Sequence, residues 1–78
     1  MDTEAITREI GRRLSLRRRE LRLTLAQLSE RCHVSLQQIQ RYEIGLNVVS
    51  APMLWKLSKC LDVPIGYFFE ELEESEDA

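Results

Sequence analysis

Cysteine and histidine are almost missing from these 78 residues: Cys32, Cys60 and His33 are the whole set. Two cysteines build no disulfide framework, and a single histidine without a second ligand cluster holds no zinc. Both thiols are expected to be reduced and the chain cytoplasmic. Long apolar runs are missing too; none approaches the ~18 residues of a membrane span. The segment before the first periodic stretch, Met1–Ala5, carries Asp2 and Glu4, the wrong charge for a secretory signal. No alternating strand pattern, long repeat or linker interrupts the chain. No Ser/His/Asp or paired-carboxylate constellation shares a face, so neither catalysis nor a cofactor is expected. What remains is one small domain, 44% apolar, sufficient for a single core and marginal enough that a second subunit would help.

Charge is unevenly spread. Residues 1–50 hold nine arginines against six carboxylates, net +3; residues 51–78 hold two lysines against seven carboxylates, net −5, which together give the overall −2. The result is an arginine-rich front and an acidic tail. An arginine run by itself is most simply a solvated helix face.

Apolar residues at Ile6, Ile10, Leu14 and Leu21 mark a first helix. At ~100° per residue Arg17 falls inside that stripe and Arg18 on its flank, and a charge beside a core needs a partner. Two matching helix starts follow. Thr24 caps with Gln27 at the third position and Leu23 stapled to Leu28; then Ser35 caps, Gln38 completes the box, and Val34 staples to Ile39. Starts this close predict a short helix over 25–32, a tight turn, and a second helix over 36–43, the layout of a helix-turn-helix. Gly45 stops that second helix, Ser50 and Pro52 start a fourth with Met53, Leu54, Leu57 and Leu61 as its apolar face, and Val63-Pro64 breaks it. Ile65, Phe68, Phe69 and Leu72 start a short fifth helix. The prediction is an all-α domain of five helices over 1–72, with an acidic, flexible tail over 73–78.

The third helix raises a question, because residues 37–41 contain three glutamines and an arginine around Ile39. On a wheel at ~100° steps Ile39 and Tyr42 point inward, while Leu36, Gln37, Gln40 and Arg41 cover an arc of about 140° pointing away, with Gln38 between. A glutamine amide matches adenine N6 and N7 in the major groove, an arginine fork matches guanine O6 and N7, and an apolar side chain suits a thymine methyl. Glutamines are also ordinary soluble helix formers; the paired capping signatures and the arginine-rich front weigh toward DNA.

The ordered set Gly11-Arg12-Arg13-Leu14, Arg18, Thr24-Leu25-Ala26-Gln27-Leu28, Val34-Ser35, Gln37-Gln38-Ile39-Gln40-Arg41-Tyr42-Glu43, Gly45, Asn47 and Leu61-Asp62-Val63-Pro64 resembles the Cro/lambda-repressor-like helix-turn-helix proteins, the XRE family. The resemblance runs from Ile10 to Phe69. It implies that the third helix enters the major groove of double-stranded DNA. By position it makes Gln37, Gln40 and Arg41, together with Leu36 and Gln38, the base-reading residues. It also implies an ion pair between Arg18 and Glu43, where the wheel had left Arg17 and Arg18 open. Departures stand out. Leu25 replaces a glutamine that often bonds phosphate, His33 replaces the turn glycine and is expected to strain or adjust the turn, and Ile44, Leu46, Val48 and Val49 fill a loop that is often basic. Phosphate grip is therefore assigned by charge to Arg12, Arg13, Arg19 and Arg22, with neutral help from Thr24, Ser35 and Asn47.

One short helix reads too few base pairs to address a genome, so a homodimer on a palindrome is expected. Ile65, Tyr67 and Phe69 are its expected interface, with Phe68 in the core. The apolar loop residues after the third helix are a second interface candidate. The expected function is a transcriptional regulator acting as a repressor. The alternatives are an antitoxin-like module, which would bind a protein partner through the acidic tail, and a restriction-modification controller of the same fold.

Overall fold

The computed structural model describes residues 2–72. The acidic tail expected over 73–78 lies outside the described residues. Among those residues there are four α-helices, one 3-10 helix and no strand. Helix α1 spans Thr3–Glu20 and begins where the Asp2 carboxylate accepts the Ala5 N–H at 2.7 Å. Helix α2 spans Leu25–Cys32; Thr24 Oγ1 accepts the Gln27 N–H and Gln27 Oε1 accepts the Thr24 N–H, the reciprocal box expected there. Helix α3 spans Leu36–Glu43 behind Ser35, and α4 spans Ala51–Cys60 behind Ser50. The fifth element is a 3-10 helix, Ile65–Phe69, running into a helical turn over 70–72. Its N-cap is Pro64, which offers no side-chain acceptor.

The core is the inward stripe of each helix. Leu14, Leu28, Ile39, Leu57, Leu61 and Phe68 are wholly buried, together with Cys32. Each such apolar side chain contributes roughly 1.5–3 kcal/mol, against about 0–1 kcal/mol for a surface ion pair, so the apolar stripes and not the arginines hold the fold. Leu25 packs against this core and Phe68 lies inside it.

All four α-helices stop the same way. A residue enters the left-handed region at Arg22 (φ 59°), His33 (φ 57°), Gly45 (φ 80°) and Asp62 (φ 55°). The next residue then donates its N–H to the carbonyl five positions back: Leu23 to Arg18, Val34 to Ser29, Leu46 to Arg41 and Val63 to Ser58. Only one of the four positions is glycine. His33 thus accepts the conformation the turn demands, and two further residues, unflagged by the sequence, do likewise at a cost of about 1 kcal/mol each.

Gly11 sets the spacing of α1 and α3. A Cβ there would lie 2.1 Å from the Tyr42 carbonyl oxygen and 2.8 Å from that of Glu43. The end of α3 therefore rests directly on the backbone of α1, an approach closed to any other residue.

Candidate nucleic-acid interface

Helix α3 is held on three sides. From below, Ile39 and Tyr42 are buried. At its C-terminal end, Arg18 Nε and Nη2 donate to Glu43 Oε2 and Oε1 at 2.6 and 3.0 Å, while Arg18 Nη1 donates to the Leu23 carbonyl at 2.8 Å. This is the bidentate pairing the resemblance implied, and hydrogen bonding to Glu43 raises the Arg18 pKa further. At its N-terminal end, Ser35 Oγ accepts the Gln38 N–H at 3.1 Å, and Ser29 Oγ spans the turn to the Val34 carbonyl at 2.6 Å.

The Gln38 side chain departs from expectation. Instead of closing the box on Ser35, its amide donates to the Tyr42 hydroxyl one turn later. Positions four apart share a face, and the half-buried hydroxyl is the stronger claim on that amide. Gln38 is thereby withdrawn from the outward set and secures Tyr42.

Gln37, Gln40 and Arg41 are exposed, and Leu36 is 39% exposed. None of the three polar side chains makes a hydrogen bond or ion pair within the described residues. Thr24 and Ser35, at the positive ends of α2 and α3, are exposed beside them.

The arginines of α1 divide. Arg13, expected at phosphate, is only 7% exposed and is taken up inside the chain. Its Nε donates to the Tyr67 carbonyl, its Nη2 to Glu70, both at 2.9 Å, and its guanidinium stacks 3.9 Å from the Tyr67 ring centroid. Tyr67 Oη returns a bond to the Arg13 carbonyl at 3.2 Å. This clasp corrects two expectations: Arg13 is not presented to solvent, and Tyr67, assigned to a subunit interface, is committed to its own α1. The cause is a contact across 54 residues that helix periodicity cannot reveal. Arg17 caps α4, its Nε donating to the Leu61 carbonyl at 3.0 Å. Arg12 is shared between Glu9 at 2.9 Å and Glu71 at 2.8 Å, and the Arg12 hydrogen bonds hold the Glu9 carboxyl below its ordinary value.

Arg19 and Arg22 remain exposed with no carboxylate partner among the described residues. Arg8, which sequence reasoning passed over, belongs with them. It packs its aliphatic stem against Gly45 and lines a pocket of about 280 Å³ with Thr3, Thr7, Ile44, Leu46 and Val48. Its position one turn before Arg12 was the available signal. Asn47 is half-buried in the same loop, its N–H directed to the Arg41 carbonyl. Ile65 is 43% exposed and Phe69 packs partly against the core. Among the described residues no three His, Cys, Asp or Glu side chains converge as metal ligands, and no helix is long and apolar enough to cross a membrane.

Comparison with known proteins meets this geometry. A family model described as helix-turn-helix matches residues 14–68. A transcriptional regulator encoded in the ATPase CF(0) region of Rhodospirillum rubrum, itself uncharacterised, is 46% identical over 86% of this chain and 62% of its own length. An uncharacterised HTH-type transcriptional regulator of Sinorhizobium medicae is 42% identical over 80% of this chain and 45% of its own. The chain thus spans about half the length of such relatives. Among solved structures, the restriction-modification controller protein C.AhdI from Aeromonas hydrophila superposes with a TM-score of 0.79 at 25% identity, over 83% of this chain and 98% of that one. The fold is the lambda-repressor-like one, and the chain belongs to the helix-turn-helix family of XRE type.

Proposed function

We propose that this chain is a sequence-specific, double-stranded DNA-binding transcriptional regulator, a repressor that reads a palindromic operator as a homodimer in the cytoplasm. One observation carries the reading: Leu36, Gln37, Gln40 and Arg41 project from a braced helix, and the three polar ones have no hydrogen-bond or ion-pair partner among the described residues. Gln37 and Gln40 pair with adenine N6 and N7, Arg41 with guanine O6 and N7, and Leu36 packs on a thymine methyl. Gln38 keeps Tyr42, and so the helix, in place. Arg19, Arg22 and Arg8, with Thr24, Ser35 and Asn47, meet phosphate; Arg12 contributes where phosphate displaces Glu71. Ile65 and Phe69 contribute to the dimer, which sets half-sites about 34 Å apart.

The relatives' names support regulation, and the stripe supports sequence reading. A titration of random and genome-selected duplexes at several salt concentrations tests both. A steep salt slope with a preference for one palindrome is expected. Equal affinity for all duplexes, or a monomer by sedimentation at tens of micromolar, overturns the proposal.

A second reading is favoured by the likeness to C.AhdI across nearly all of that protein: control of a restriction-modification operon. Recovery of a promoter upstream of a restriction endonuclease gene, among fragments selected from the source genome, distinguishes it.

A further inference from the structure

Two thiols have no part in the proposed DNA interface. Cys32 closes α2 and is fully buried, while Cys60 closes α4 and is partly exposed. The two helix ends are laced together. Arg31 Nη1 donates to the Cys60 carbonyl at 3.4 Å, and Cys60 Sγ donates to the Arg31 carbonyl at 3.8 Å. The Cys60 sulfur therefore rests on the carbonyl of the peptide bond that leads into Cys32. Burial, and then the Cys60 thiol, push the Cys32 pKa up to about 12, so Cys32 is a protonated thiol at neutral pH. Cys60 is the sulfur a small oxidant reaches first.

We propose that Cys32 and Cys60 are a peroxide-responsive dithiol that closes to an intramolecular disulfide between the ends of α2 and α4. The Cys60 thiolate attacks one oxygen of hydrogen peroxide; the O–O bond breaks, hydroxide leaves, and Cys60 becomes a sulfenic acid. Cys32 then gives up its proton as its sulfur attacks the Cys60 sulfur. The S–S bond forms, the S–O bond breaks, and the departing hydroxide takes a proton to become water. The two thiols lose two electrons and two protons, and the peroxide is reduced to two waters. Proximity, not acidity, makes Cys32 the resolving thiol: the Cys60 sulfur is held on the carbonyl of the residue immediately before it. The loop so closed contains the whole of α3.

The test treats the full chain with one equivalent of hydrogen peroxide and reads intact mass, free thiols and non-reduced tryptic peptides. Expected are the loss of two hydrogens per chain, the disappearance of both thiols together, a linked peptide pair holding Cys32 and Cys60, and reversal by dithiothreitol. The oxidised chain also unfolds at higher urea, a shift that dithiothreitol cancels. In Cys32→Ser the reaction halts at a Cys60 sulfenic acid that dimedone traps. Cys60→Ser, at the more accessible position, abolishes the response and serves should the core variant fail to fold. Oxygen addition at Cys60 of the parent chain without a cross-link, disulfides only between chains, or both thiols surviving peroxide would each overturn the proposal.

Discussion

Helix α1 and helix α3 both display polar side chains, yet they use them oppositely. On α1, Arg12, Arg13, Arg17 and Arg18 all have partners within the chain: Glu9 and Glu71, Tyr67 and Glu70, Leu61, and Glu43 with Leu23. On α3, Gln37, Gln40 and Arg41 have none among the described residues. The arginine-rich helix is chiefly an internal brace, and the helix with one arginine is the open surface. Abundance of a residue type therefore marks the proposed interface less well than the absence of intramolecular work for it.

The largest disturbance to that contrast is expected from Gly11→Ala, which drives a methyl into the α3 carbonyls and removes the platform beneath the stripe. It should cost about 3 kcal/mol or more in urea unfolding. A small loss would mean that α1 and α3 separate easily. Next, Glu43→Ala strands the half-buried Arg18 guanidinium and should cost about 3 kcal/mol; a loss below about 1 kcal/mol would demote the pair to a surface contact.

Arg41→Ala sharpens the other side. It should leave stability within about 0.5 kcal/mol of the parent while removing about 1–3 kcal/mol of discrimination at one base pair, read by competition between operator variants. Between the two helices, Arg19→Ala should reduce the salt slope of DNA binding by about one. Arg13→Ala should lower thermal stability and leave that slope unchanged. If the two variants exchange effects, the division drawn above is wrong.

The smallest effect is on pH. The Glu9 carboxyl sits below its ordinary value of 4.5 because of Arg12. Its stabilisation is present above that ordinary value and is lost as pH falls through the lowered one. Glu9→Gln should flatten this shallow part of the acid limb and, at neutral pH, remove the small contribution of the pair. The pair is i,i+3 and Arg12 is half-exposed, so its whole contribution is small.

The sequence displayed α2 and α3 down to their end residues, because Thr24 and Ser35 signal locally, within one turn of where they act. It displayed the stripe for the same reason: Ile39 and Tyr42 fix one side of a wheel, which places Gln37, Gln40 and Arg41 on the other. Arg13 and Tyr67 were misplaced because their bonds join chain segments far apart, and charge alone does not distinguish a clasp from a phosphate contact. The role of Gly11 was hidden likewise; a glycine inside a helical pattern signals close approach without naming what approaches. The 3-10 form of the fifth helix and the left-handed turns at Arg22 and Asp62 left no composition signal, since glycine was absent where it would have marked them.

Leu36, Gln37, Gln40 and Arg41 share an eight-residue helix with Ile39 and Tyr42, but the two groups answer to different demands. Folding is written on one side of that cylinder and, on the proposed reading, address on the other. On that reading descendants of this chain are retargeted by rewriting four letters while the frame that presents them is inherited intact.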